Sequence, residues 1–360
     1  MGTLDEVKGL IKNPPKEYRS APFWGWNDRL QKENLGEQIE GFKKAGMGGF
    51  FIHSREGLET EYLSTEWMED VKFCVDKARE NDLELWIYDE DKWPSGAAGG
   101  KVSRVNPAEF TARALTMECG KAGELAVPAK LSNEEERTVT GDSDSIMCGG
   151  NRSTDENFMS GRNGSEDLAV EETMETEFLQ GVYVIQTAAD GRFIKRMKEY
   201  LTYEEAAEAC GVDEEILLLR QEISGKSEWY NGLMPPDNLN PESVKTFLKL
   251  THEHYEEVFG GSFPKEVKGF FTDEPNCCDF FSVFHEGRPW IPWSIGFTEY
   301  FIEKRGYDPQ EKLPYLFFDG EGAEKIRHDY WKTVAQRFEE SYMKQVYEWC
   351  DKRGLRTTGH

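Results

Sequence analysis

The chain of 360 residues carries 68 Asp and Glu against 43 Lys and Arg, a net charge of −25. A surface of that sign repels phosphate backbones and anionic lipid heads, so neither nucleic acid nor a membrane surface is an expected partner. A hydrophobic fraction of 38% supports a folded core, and the length suits one (β/α)8 barrel or a domain with an insertion.

Residues 1 to 20 are polar, contain Pro14 and Pro15, and lack an apolar stretch of signal-peptide length. No later span reads as membrane-crossing, so a cytoplasmic location is expected. Ala21 to Trp26 is an apolar, aromatic run read as a buried strand. Leu35, Ile39 and Phe42 then follow the rhythm of one helical face, which Gly46 ends. Gly48 to His53 is the second strand. Ser64 or Thr65 caps a helix with Trp67, Val71, Val75 and Ala78 inward, and Leu83 to Tyr88 is the third strand. This alternation predicts parallel strands joined by right-handed crossover helices.

After Lys101 the rhythm breaks. Residues 111–240 hold short β-like runs around a polar stretch from Ser132 to Glu172, which reads as an inserted, mostly β subdomain with a flexible acidic loop. Asn151 and Asn163 stand in glycosylation sequons, both read as incidental. The α/β pattern resumes at Asn240 and Pro241, a good cap and first helical residue, and Val267 to Thr272 is the fourth strand. An excursion with Trp290 and Trp293 precedes a helix of about thirty residues that runs to Gly354, and Leu355 to Gly359 begins a fifth strand. The expected fold class is therefore α/β of the TIM-barrel type, incomplete, with about five of eight units present. The barrel parts are 18–110 and 241–360, and the chain is expected to be a fragment.

Reactive groups in such folds sit where strands end. Four ends are rich in polar residues: Trp26, Asn27 and Asp28; His53 to Glu56; Asp89 to Trp93; Asp273 to Asn276. Polar loops at any strand end account for part of this; their convergence on one rim points to chemistry. Glu274 is the leading candidate. Its strand is apolar, so a carboxyl emerging between low-dielectric walls would have a raised pKa suited to a general acid. Cleavage of a glycosidic bond needs such an acid and a second carboxylate. Asp89, Glu90 and Asp91 would bind sugar hydroxyls, hold a cation or act as base. His53 has two readings, a ligand for a substrate hydroxyl or a packed core histidine. Trp24, Trp26 and Trp93 either wall a sugar subsite or pack the rim. Phosphate-loop and dinucleotide patterns fail at Val102 and around Gly46, Gly48 and Gly49, so no nucleotide cofactor is expected. The seven cysteines contain no Cys-x-x-Cys pair, which disfavours zinc and redox motifs.

The strings Pro22 to Asn27, Gly48 to His53 with Gly57 and Leu58, Tyr88 to Gly96 with Gly99 and Gly100, and Phe271 to Pro275, in that order, resemble the N-terminal barrel portion of glycoside hydrolase family 106 α-L-rhamnosidases. The resemblance spans roughly residues 18 to 110 and 238 to 360. It implies a (β/α)8 barrel and inverting hydrolysis of a terminal deoxysugar glycoside. Glu274 would be the acid, the base would lie beyond His360, and the chain alone would turn over little. Trp26, Asn27, His53, Asp89, Glu90, Asp91, Trp93, Asp273, Asn276 and His360 would be the substrate-binding residues. No cofactor is required; the resemblance allows calcium near the site, to which the acids at 89–91 would contribute. Two other readings stay open: a carbohydrate-binding barrel without hydrolysis, and a metal-dependent hydrolase using His53, Asp89 and Asp273.

Overall fold

The computed structural model describes residues 3–125, 177–278 and 288–360. The polar stretch 132–172, with Asn151 and Asn163, lies outside them. Ten strands are described: β1 (Phe23–Trp26), β2 (Gly49–Ser54), β3 (Glu84–Tyr88), β4 (Arg113–Gly120), β5 (Glu177–Thr187), β6 (Ile194–Tyr200), β7 (Glu215–Ile223), β8 (Val267–Thr272), β9 (Trp290–Trp293) and β10 (Arg356–Gly359). They form two five-stranded sheets, one parallel in the order β1-β2-β3-β8-β10 and one antiparallel in the order β6-β5-β7-β4-β9. The fold is thus mixed α/β, and no closed barrel is present among the described residues.

The chain divides into two compact units. One comprises residues 1–112, 224–283 and 334–360, and the other 113–223 and 284–333. Residues 224–240, expected in the insertion, belong to the parallel-sheet unit, because Ala112 and Pro235 share a backbone hydrogen bond and Asp237 N–H bonds to Phe110 O. The segment around Trp290 is a strand rather than a loose excursion. It adds β9 to the antiparallel sheet, with Trp293 opposite Arg113. That sheet has its own apolar cluster of Leu179, Val182, Val184, Ala206, Ile216 and Leu218.

In the parallel unit the helices form where the periodicity places them. Ser64 Oγ accepts the Trp67 N–H and starts the helix Thr65–Glu80, which buries Trp67, Val71, Cys74, Val75 and Ala78. Asn240 caps the helix Pro241–Leu248 through the Glu242 N–H. The end of the helix Ala323–Phe338, from Val334 on, belongs to this unit and continues through one turn of π geometry, Glu339–Met343, into Lys344–Asp351. These helices cover one sheet face, onto which Trp24, Trp26, Phe50, Ile52, Leu85, Ile87 and Phe270 point. The register puts Phe23, Phe51, Trp86 and Phe271 on the other face. Their rings pack at 4.8 to 5.9 Å, and Phe23 remains 52% exposed.

Gly269 shows how closely the strands approach on that face. A Cβ there would lie 1.9 Å from the Arg356 carbonyl oxygen and 2.8 Å from the Trp86 ring. Backbone cannot yield as a flexible side chain can, so Gly269→Ala is expected to destabilise the parallel unit by about 3 kcal/mol or more. Thermal unfolding checks this; an unchanged Tm would contradict it. No helix among the described residues is long and apolar enough to cross a membrane.

Candidate functional site

All strands of the parallel sheet deliver their C-terminal ends to one rim. At the end of β8 the backbone leaves the sheet through Glu274, whose φ of 44° is in the left-handed region that side chains seldom adopt. The turn lifts its carboxylate onto the rim, where the side chain is 59% exposed. The apolar walls expected around Glu274 are therefore absent, because the strand's aromatic residues stop at Phe271. The His360 imidazole lies beside both carboxylates, its Nδ1 3.7 Å from Glu274 Oε1 and 3.3 Å from Asp273 Oδ1.

Asp273 is held more firmly. Tyr88 donates its hydroxyl to Asp273 Oδ2 at 2.7 Å, and the Asp273 N–H donates to Ser95 Oγ at 2.8 Å. His53 stacks on Tyr88 with ring centroids 3.6 Å apart. Burial first, then the Arg55 charge, lowers the His53 pKa to about 4, against the raising influence of Asp273 and Asp91. His53 is thus a neutral, buried ring with Nε2 unpaired, close to the packed reading yet facing the same acids as the rim.

The acids after β3 take three different roles. Asp89 is fully buried and accepts Ser95 Oγ–H at 2.6 Å. Its other oxygen lies 4.0 Å from Nε2 of the buried His252. Burial drives the Asp89 pKa well up and that of His252 down to about 3, so two neutral groups face each other rather than an ion pair. Glu90, 1% exposed, accepts five backbone N–H groups, those of Asp91, Gly96, Ala97, Ala98 and Gly99, at 2.5 to 3.1 Å. A turn whose amides would otherwise cradle an external anion is filled by the chain's own carboxylate. Asp91 accepts Ser54 Oγ–H at 2.6 Å and Asn231 Nδ2–H at 2.9 Å.

Several expectations are corrected by this arrangement. Asp89 and Glu90 have their oxygens turned into the protein and offer no sugar contact. With Asp91 they do not converge, so the three do not fit calcium, which wants six to eight oxygens around one point. The trio His53, Asp89 and Asp273 does not converge either. The group among the described residues with metal-ligand spacing is Asp273, Glu274 and His360, and one imidazole with two carboxylates suits calcium poorly. Trp26 and Trp24 are core residues, Trp26 edge-on to Trp67 at 5.0 Å and Trp24 donating Nε1–H to Gln38, so neither walls a subsite. Asn27, Trp93, Asp273, Glu274 and His360 do reach the rim, and Asn276 borders it, accepting Asn238 Nδ2–H on its carbonyl. Tyr88, Ser95, Ser54 and Asn231 complete the network. Ser95 lies within a quoted string, but Asn231 comes from 140 residues beyond its partner Asp91 and no local pattern announces it.

The Glu90 setting carries a pH consequence. Burial outweighs the five N–H donors and pushes its pKa from 4.5 up to about 7. A carboxyl raised on folding stabilises fully below its unfolded pKa and loses that contribution as pH rises through the folded one. Glu90 should therefore contribute a fall in the Tm of the parallel unit between about pH 4.5 and pH 7, set against the rise that the buried neutral His53 and His252 contribute below about pH 6.5. Glu90→Gln, fixed in the neutral form, should remove the Glu90 contribution, so its Tm relative to the parent should rise over that range. An unaltered pH profile in the variant would contradict this.

No protein-family model matches the chain, and no curated protein matches it in sequence. Among solved structures it is similar to a rhamnosidase from Novosphingobium sp. PP1Y, at 14% identity and a TM-score of 0.54. The match covers 98% of this chain and 47% of that one, so the chain spans about half the length of that structure. At this identity the likeness establishes a rhamnosidase-like fold.

Proposed function

We propose that the chain is a glycoside hydrolase of the α-L-rhamnosidase kind, its parallel sheet part of a (β/α)8-type barrel, acting on a terminal deoxysugar glycoside. The observation that carries this reading is Glu274, presented on the open rim at the end of the fourth parallel strand by a left-handed backbone turn. The likeness to a rhamnosidase fold over nearly the whole chain supports it. Glu274 donates a proton to the leaving oxygen as the bond to the sugar breaks. A sugar seated on the rim covers the carboxyl and supplies the desolvation that the free site lacks. Asp273, fixed by Tyr88 and Ser95, and His360 orient the substrate beside it. The second carboxylate that inversion requires, about 6.5–9.5 Å from the acid, is not assigned to a residue of this chain. The reaction calls for no cofactor.

Incubation with aryl α-L-rhamnoside tests the reading through release of the phenol. The exposure of Glu274 favours one second reading, a sugar-binding barrel without hydrolysis, and saccharide binding with no phenol released would select it.

A further inference from the structure

A cleft of about 390 Å³ opens between the connections that follow β2 and β3, a size within the roughly 300–1,000 Å³ of ordinary small-molecule sites. Arg55, Lys92, Lys101 and Arg104 line it together with Asp91 and Asn231. In a chain of net charge −25, four cations around one cleft run against the overall sign. Of the three acids that also line it, Glu61 pairs with Lys101 at 3.0 Å, Asp91 accepts from Ser54 and Asn231, and Glu56 is exposed, which leaves the cleft one positive charge in excess.

Among the described residues no carboxylate pairs with Arg55 or Lys92. The Arg55 guanidinium lies over the Trp93 ring at 5.2 Å and Lys92 Nζ over the Trp229 ring at 5.5 Å, while the two rings meet edge-on at 4.8 Å. Lys92 also donates to Asn231 Oδ1 at 3.2 Å. Contact with the Trp93 ring steadies the guanidinium and consumes none of its N–H donors, so they can serve a ligand. A planar carboxylate matches that fork. The neighbouring amides of residues 96–99, which would cradle a phosphate, are taken by Glu90.

Neighbouring strands lie about 4.8 Å apart, so the end of β2 is roughly 10 Å from that of β8, a span that a disaccharide bridges. We propose that this cleft binds the carboxylate of a uronic acid residue in the substrate, joined through the bond that Glu274 cleaves. The assignment rests on the glycosidase reading above: the terminal deoxysugar is neutral, so the acidic sugar is the leaving group.

Calorimetric titration of the Glu274→Gln chain, whose turnover of these glycosides should be slowed by about 10²- to 10⁴-fold, with rhamnosyl-glucuronate, rhamnosyl-glucose, glucuronate alone and potassium sulfate tests it. The acidic disaccharide should bind about tenfold more tightly than the neutral one, the scale of a charged hydrogen bond. Arg55→Gln and Lys92→Gln should each narrow that gap, with Tm confirming that both variants fold. Equal binding of the two disaccharides would overturn the cleft assignment and leave the glycosidase reading standing. Glucuronate binding that the rhamnosyl unit does not strengthen would uphold the cleft and overturn the glycosidase reading. Sulfate displacing glucuronate at equal concentration would overturn the uronate assignment in favour of a general anion site, and no binding by any probe would overturn both.

Discussion

Replacing Glu90 by Ala should cost the parallel unit about 4 kcal/mol, a fall in Tm of about 10 °C, because five amides lose their acceptor at once. Each of those N–H groups belongs to Asp91 or to the turn Gly96–Gly99, most of it buried, where water replaces the lost carboxylate only in part. Glu90→Gln should cost less, since one oxygen remains, although its NH2 group meets donors instead of accepting from them. The turn also carries Ser95, which bridges Asp89 and Asp273, so the damage should reach the rim. Trp93 and Trp229 pack at this turn, and their fluorescence should report its loosening at or below the global transition. A Glu90→Ala chain within about 2 °C of the parent would show that the turn holds itself, a result at odds with five simultaneous hydrogen bonds.

Glu274→Gln should lower the hydrolysis of an alkyl α-L-rhamnoside, whose leaving oxygen needs a proton, by about 10²- to 10⁴-fold, the usual contribution of a positioned general acid. The amide is isosteric and cannot give up a proton. Because the side chain is exposed and touches only the exposed His360 imidazole, at 3.7 Å, among the ion-pairing groups described, folding should be indifferent to the change. The pairing of a large kinetic loss with an unmoved Tm is what separates a reacting group from a structural one.

Much of the parallel unit is legible in the sequence because its elements repeat two clear periods. Helix stripes such as Trp67, Val71, Val75 and Ala78 and short apolar strands leave little choice of type or order. The facing of a four-residue strand is harder. In β1 the alternation pairs Trp24 with Trp26 and Phe23 with Gly25, but nothing local says which pair meets the helices, and the tryptophans do. β9 escapes notice because Pro292 sits inside it and its pairing partner β4 lies some 175 residues earlier. The three consecutive acids read as one cluster, yet alternation along the chain and the tight turn after them send Asp89, Glu90 and Asp91 to three separate environments. Glu90's role has no side-chain signature, since its partners are amides that any sequence possesses. The Arg55 and Lys92 setting depends on Trp229 and Asn231, which reach the cleft only through the return of the chain from the antiparallel unit.

The dependence of Glu274→Gln on leaving-group acidity tests most directly whether Glu274 is the proton donor. A methyl or alkyl α-L-rhamnoside needs its leaving oxygen protonated, whereas a dinitrophenyl rhamnoside departs without help. The variant should lose nearly all activity on the first and keep most of it on the second. Equal losses on both substrates, or none on either, would contradict a proton-donating role for Glu274.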